Sequence, residues 1–340
     1  MKLALYILWL AGFALLFGLI AYHGAGEVFS AVAVVGWGLL LVVAYRIVPM
    51  LADTLGWHAL LPRPHRLPLL EMLRLRWIGD AINTLLPVAQ VGGEFVRAKL
   101  LHRGGISGPM ASASVVVDLT AAVLTQIGFA LLGVALLLYH GGTGHAGDVA
   151  LGVAVGIGIF SALLLGFYLA QRAGLFESLA RGLERVARSG EWMSLVGSAT
   201  RLDNAVTRLY RRRQRFWVAC AWRFLYWFLG AGEVWLAMFL LGHPVTPLEA
   251  LVLESLGSAV RAGAFAVPGG LGIQEGGYIL FGSLLGVDGE TALAVSLVKR
   301  VRELAVGLPG LLVWQLGEGH RLLRHRAKSA DASSGQDSKP

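Results

Sequence analysis

The chain has 340 residues, of which 56% are hydrophobic and 15% charged, and its mean hydropathy is +0.66. That balance leaves no room for a water-soluble domain of useful size and places the chain among polytopic membrane proteins. The net charge of +8 does not mark a nucleic-acid binder, because the arginines flank apolar runs as cytoplasmic membrane loops do; the one cysteine, Cys220, excludes an internal disulfide and a thiolate metal site.

Runs of about 20 apolar residues can cross a bilayer, and they fall near 3–22, 28–51, 108–138, 149–170, 216–241 and 290–316. The first follows Lys2 without a small-x-small cleavage site, so it is expected to be a retained helix rather than a signal peptide. Two further apolar regions, 69–104 and 247–286, are interrupted near their middles by proline and glycine, and each is expected to be a re-entrant helix pair.

The basic residues orient this arrangement. Arg63, Arg66, Arg74 and Arg76 follow the second span, Arg97, Lys99 and Arg103 close the first broken region, and ten arginines lie between Arg172 and Arg215. The connections at 23–27, 140–148, 242–250 and 286–290 carry no lysine or arginine. The fold class expected is therefore an all-α polytopic membrane protein with six spanning helices, two re-entrant pairs and both termini cytoplasmic.

A single transmembrane domain is expected over 1–320, with a first repeat at about 28–138 and a second at about 216–316. In the segment 171–215, Leu175, Leu179, Leu183 and Val186 recur opposite Arg181, Arg185 and Arg188. This reads either as an amphipathic helix on the inner membrane surface or as a solvated basic linker. The segment 321–340 is expected to be a cytoplasmic tail, disordered from Lys328 onward.

The two breaks match. "PVAQVGGE" runs from Pro87 to Glu94 and "PGGLGIQE" from Pro268 to Glu275, with proline and glutamate seven apart in both. Twenty-four residues past each glutamate stand Asp118 and Lys299, so an offset of 181 holds without a gap. The preceding spans are three crossings apart, which predicts opposite orientations in the bilayer and hence an inverted repeat, the device by which secondary transporters build a site near the midplane. Proline and glycine free backbone groups that hydrocarbon cannot satisfy, so matched breaks predict a polar cavity. The plainer reading is that the glycines only let helices pack closely.

An ionisable side chain at the bilayer centre costs about 2.5–3.5 kcal/mol on insertion scales, which makes each one a functional candidate. Lys299, Arg300, Arg302 and Glu303 lie in the last span, where Lys299 and Glu303 share a face, Arg300 leans away and Arg302 sits on the neighbouring face. Arg261 precedes Pro268, and Glu254 precedes Arg261 on the same side, as part of a cavity or as a plain ion pair. Glu94 and Asp118 oppose them, with Asn83, Thr84 and Gln90 as uncharged partners. The candidate translocation residues are thus Pro87, Gln90, Glu94, Asp118, Arg261, Pro268, Gly269, Gly270, Gln274, Glu275, Lys299, Arg300, Arg302 and Glu303. Arginine forks suit an anionic head group, while the carboxylates suit a coupling proton or a cationic or hydroxylated head.

No cofactor or metal is expected: "GLGIQEGG" follows no strand, and the histidines lack metal-ligand spacing. No nucleophile stands with a base at a recognisable spacing.

"LLPVAQVGGEFVRAKLL" and "VPGGLGIQEGGYILFG" make the chain resemble the transmembrane, flippase-like part of lysylphosphatidylglycerol synthases, in particular their hopanoid-biosynthesis-associated relatives. The resemblance covers residues 1 to about 320 and implies a bacterial inner-membrane protein related to lipid translocation. It puts Pro87, Gly92, Gly93, Glu94, Pro268, Gly269, Gly270, Gln274 and Glu275 in the functional core. Where family members often carry a Glu-Arg pair, this chain reads "VVVDLT" around Asp118. The 340 residues hold no counterpart of the aminoacyl-transfer domain of the full synthases, so lysyl transfer is not expected. The function expected is translocation of a polar-headed lipid, a hopanoid or a phospholipid. The alternatives are an integral-membrane enzyme acting on a lipid head group, and a non-catalytic membrane partner that docks lipid-synthesis enzymes through 171–215.

Overall fold

The computed structural model describes residues 35–62, 66–86, 92–141, 158, 192–264, 267 and 270–334. The span expected at 3–22, that at 149–170 apart from residue 158, the stripe from Leu175 to Val186, and Pro87, Gln90, Pro268 and Gly269 lie outside the described residues.

Helix α1 (Gly38–Tyr45) passes into α2 (Ile47–Leu60) through Arg46, which keeps right-handed helical angles at φ −55° and ψ −25°. The two make an apolar stretch of 23 residues, Gly38–Leu60, long enough to cross a membrane. The expected span at 28–51 therefore runs on to Leu60, and Asp53, which that reading left beyond the span, becomes a mid-helix carboxylate.

The first broken region is a helix pair, α3 (Leu69–Leu85) and α4 (Gly92–Arg103). Next comes α5 (Gly108–Gly141), whose stretch to Tyr139 is also apolar and long enough to span. Then follow α6 (Trp192–Arg211) and α7 (Arg213–Leu240). The second broken region gives α8 (Pro247–Gly263) and α9 (Ile273–Leu284), and α10 (Gly289–Ser334) completes the described chain. All the regular structure among the described residues is helical. The α7 and α10 helices, 28 and 46 residues long, are also long enough to cross, but they carry ionisable residues in mid-length.

Local chemistry explains the boundaries. Thr246 and Glu249 form a reciprocal capping box at the start of α8, with Pro247 at the first helical position, where its missing N–H costs nothing. Between α8 and α9 the backbone turns through Gly270 at φ +61° and Gly272 at φ +75°, angles open to glycine and strained for other residues. Asp288 caps α10 by accepting the Thr291 amide hydrogen at 2.8 Å. Burial pushes the Asp288 carboxyl up, but the Thr291 hydrogen bonds and nearby His243 outweigh it and hold it below the usual carboxylate range. With a depressed folded value, the cap's contribution is complete above the unfolded pKa of about 3.9 and fades as pH falls through the folded value. Asp288→Ala should lower stability by about 1 kcal/mol at pH 7 and by less in strong acid, read by thermal unfolding in detergent.

The boundaries after the two breaks coincide under the 181-residue shift. The shift carries Gly92–Arg103 onto Ile273–Leu284, both 12 residues long, and carries Gly108, the start of α5, onto Gly289, the start of α10. The packing is reciprocal as well: α3 lies against α10 and α8 against α5, while α2 runs along α7.

Two apolar cores result. One gathers Trp57, Leu60, Met72, Leu101, Val117 and Phe216 around the first break. The other gathers Val234, Leu253, Leu256, Tyr278, Phe281 and Val295 around the second. Both use α5 and α7, and Arg223 of α7 falls between Cys220 of the first core and Val234 of the second. Outward-facing Leu131, Trp217, Phe239, Leu308 and Leu312 are exposed, as suits a lipid-facing surface.

Helix α6 lies in the 171–215 segment, and there Ala205, Val206, Leu209 and Tyr210 are buried in the first core. The apolar face of this described part is covered by protein. Helical backbone in α10 continues to Ser334, reaching into the stretch expected to be a disordered tail.

Candidate functional site

Two buried charge clusters face each other between the cores. In the first, Asp118 of α5 is fully buried, and its Oδ2 accepts from three guanidiniums: Arg97 Nη2 at 2.7 Å, Arg76 Nη2 at 2.9 Å and Arg223 Nη2 at 3.1 Å. Asp53 of α2 completes the balance, with Oδ2 at 3.3 Å from Arg76 Nη1 and Oδ1 at 2.7 Å from Arg223 Nη1. Glu94 takes the other arm of Arg97 at 2.7 Å and also accepts from Asn83 at 3.3 Å. The Trp57 indole lies under Arg97 and Arg76, at 4.2 and 5.2 Å from ring to guanidinium carbon. Arginine suits this job: it is always charged, weakly hydrated and able to stack.

The second cluster has more members. Lys299 of α10 binds Glu254 of α8 and donates to the Tyr278 hydroxyl at 2.9 Å, which in turn donates to Glu254 at 2.8 Å. Arg300 grips Glu275 with Nε at 2.8 Å and Nη2 at 3.4 Å, and reaches Glu303 at 3.2 Å. Arg261 binds the other Glu303 oxygen and donates to Gln274 at 2.9 Å. Arg302 spans to Glu233 of α7 at 2.7 Å.

The sequence pairing of Glu254 with Arg261 is thus corrected. Glu254 goes to Lys299 and Arg261 to Glu303, and Lys299 and Glu303, although on one face, serve different partners. An ion pair between helices holds two elements together, whereas one along α8 would hold nothing but itself. Arg300 does not lean away from the cluster but joins Glu275 to Glu303.

Between the clusters lies a cavity of about 290 Å³, walled by Asp53, Arg76, Glu94 and Arg223 on one side and Glu254, Arg261, Lys299, Arg302 and Glu303 on the other. Gln274 and Tyr278 also reach it. Of the predicted residues, Asp118, Glu275 and Arg300 are not in the wall; Asp118 holds Arg76 and Arg223 of the wall, Arg300 holds Glu303, and Glu275 holds Arg300 from behind. Gly270 lies in the turn, where an added Cβ would come within 3.0 Å of Arg261 Cγ.

The sequence reading did not include Arg46, Asp53, Arg76, Asp80, Arg97, Arg223, Glu233 or Tyr278 among the candidates. By position along the sequence Arg76 and Arg97 count as charges flanking the membrane, yet each is 1% exposed. Helical phase carried the signal: Arg97 falls on the buried face of α4 with Gly93 and Leu101, four residues to either side.

The equivalent residues also bond alike. Arg97 and Tyr278 are related by the 181-residue shift, as are Asp118 and Lys299, and a hydrogen bond joins the two positions in each copy. The chemistry differs: Arg97 donates to the Asp118 carboxylate, whereas the Tyr278 hydroxyl accepts from the Lys299 ammonium.

The family described as the lysylphosphatidylglycerol synthase TM region matches residues 7–310. The chain belongs to this family. As a family member it is a membrane protein, and a protein described as a UPF0104 membrane protein, from Pyrococcus horikoshii, is 25% identical to it over 289 residues, covering 81% of this chain and 84% of that one. No solved structure matches the chain. The matched residues include both broken helix pairs and every wall residue of the charged cavity.

Proposed function

We propose that this family member is a lipid translocator that carries a polar head group, of a phospholipid or a hopanoid, between leaflets through the charged cavity. The observation that carries the reading is one cavity shared by both broken helix pairs and walled by charged side chains from six helices and from the α1–α2 junction. Such a chamber inside a membrane protein stabilises a head group that hydrocarbon would exclude.

The coincident helix boundaries, the reciprocal packing of α3 on α10 and α8 on α5, and the matched 97–118 and 278–299 bonds support an inverted repeat. In that arrangement each half-helix pair opens the chamber toward one leaflet. The ion pairs between α8, α9 and α10 are exchangeable contacts: Arg261 can leave Glu303 for a head-group phosphate and return.

The test is reconstitution into liposomes with tail-labelled lipids, scoring leaflet transfer and the chemical identity of the lipid together. Transfer of unmodified lipid, reduced at least about tenfold by Arg261→Ala at equal incorporation, supports translocation; a factor of ten corresponds to about 1.4 kcal/mol, within the range of one charged hydrogen bond. Appearance of a modified lipid would instead assign the cavity to head-group chemistry.

A further inference from the structure

Among the described residues that wall the cavity, one basic and one acidic side chain stand outside the ion-pair network. Arg46, at the junction of α1 and α2, makes one side-chain hydrogen bond to a described residue, to the Tyr226 hydroxyl at 3.3 Å, with its guanidinium carbon 5.5 Å from that ring. Asp80 of α3 has no hydrogen bond or salt bridge to any described residue, although the charges of Arg76, Asp53, Arg97 and Arg46 all act on it. The other charged wall residues, from Asp53 to Glu303, are already matched with protein partners. The groups left open to a ligand are thus one cation and one anion.

Their position says more. Both also line a constriction of about 30 Å³, together with Thr84, Arg302 and Glu303 from the cavity. The constriction shares Met50, Trp77 and Val306 with a groove of about 930 Å³. That groove is mostly apolar, walled by Leu40, Ile47, Leu70, Leu73 and Val313 between α1–α2, α3 and α10, with Glu71 and Arg74 the charged residues of its lining. A charged chamber, a neck and a hydrocarbon-lined trough follow one another, in the order of an amphiphile's head, backbone and tail.

We propose that Arg46 and Asp80 form the recognition site for a zwitterionic lipid head, with the phosphate on Arg46 and a primary ammonium on Asp80, while one acyl chain lies in the apolar groove. It rests on the translocator reading only in taking the ligand to be a lipid. Arg46 retains free guanidinium donors for phosphate oxygens. Asp80 accepts a hydrogen bond from an ammonium N–H, which a glycerol head answers only as a neutral donor and a trimethylated choline not at all. Pairing each open charge with one of opposite sign leaves the buried site neutral, which a purely anionic head does not.

The experiment is binding of the purified full-length chain, in detergent, to phosphatidylethanolamine, its N-methylated series, phosphatidylcholine and phosphatidylglycerol with the same acyl chains, read by native mass spectrometry. Phosphatidylethanolamine is expected to bind at least about tenfold tighter than phosphatidylglycerol, the usual size of one charged hydrogen bond, and affinity should fall stepwise with methylation. Asp80→Asn should erase the preference, and Arg46→Gln should weaken all the phosphate-bearing lipids alike while keeping it. Free phosphoethanolamine should compete at least about a hundredfold more weakly, because it leaves the groove unfilled.

Equal binding of the ethanolamine and glycerol lipids by the natural chain, or a preference that survives Asp80→Asn, overturns the assignment. Competition by free phosphoethanolamine as strong as by the lipid overturns its lipid half. The methylation series needs no variant, so it decides the matter even where Asp80→Asn does not fold. Selective binding without leaflet transfer in liposomes would sink the translocator and spare this site. Transfer without an amine preference would do the reverse.

Discussion

Asp118→Ala is expected to remove about 3–5 kcal/mol of stability, enough to abolish most monodisperse protein, because it strips the shared anion from three buried guanidiniums. Domains are stable by only about 5–15 kcal/mol in total, so a loss of this size takes a large fraction of it. The same change at an exposed pair would be worth about 0–1 kcal/mol, since water and salt take over from the missing partner. Here the groups are shielded from bulk solvent: Asp118 is 0% exposed and Arg76 and Arg97 are 1% exposed. Asp118→Asn keeps the volume and loses the charge, so it should fall nearly as far as alanine. Adding Arg97→Gln to Asp118→Asn removes one of the stranded cations and should recover part of the loss. Thermal unfolding and size-exclusion yield in detergent read all three. A melting temperature unchanged in Asp118→Ala would mean that the cluster is not what ties α3, α4, α5 and α7 together.

How that cluster escaped the sequence follows from how charges are read in membrane proteins. The breaks, their carboxylates and the 181-residue offset from Asp118 to Lys299 were legible, because proline, glycine and a fixed offset are local or periodic signals. Helix boundaries after each break followed the same register, α4 against α9 and α5 against α10. Arg76 and Arg97 were not legible by counting: an arginine near the end of an apolar run looks the same whether it flanks a loop or turns inward. Only the helical phase, with Arg97 between Gly93 and Leu101, separates the two cases. Asp53 and Arg223 needed still more, since their meeting depends on α2 running along α7, a contact between residues 170 positions apart. The same limit explains the misassigned Glu254 and Arg261. Sequence spacing measures proximity along α8, while the actual partners come from α10.

The second large effect expected is steric. Gly93→Ala should cost about 1–3 kcal/mol or more and should separate the two halves of the first break. At Gly93 an added Cβ would come within 2.1 Å of the Gly79 carbonyl oxygen and 2.8 Å of the Asn83 side chain. The first of these is backbone in the middle of α3, which cannot rotate aside. At Gly133 the nearest atom, at 1.9 Å, is the Ser255 hydroxyl, which another rotamer removes, but the Ser255 Cβ stays at 2.8 Å, so the clash there is relieved only in part. Pushing α4 off α3 would lengthen the 2.7 Å bond from the Gly93 amide to Asn83 and pull Arg97 away from Asp118. The loss should therefore appear both as a lower melting temperature and as a weakened response to Asp118→Asn in the double variant, since the two changes strike one network. Gly276→Ala is the matching control: it lies in α9 with nothing within 4 Å of an added Cβ, and there alanine should be neutral or stabilising by up to about 1 kcal/mol through helix propensity. Additive losses for Gly93→Ala and Asp118→Asn would show that close approach of the half-helices and burial of the charges are separate features of this fold.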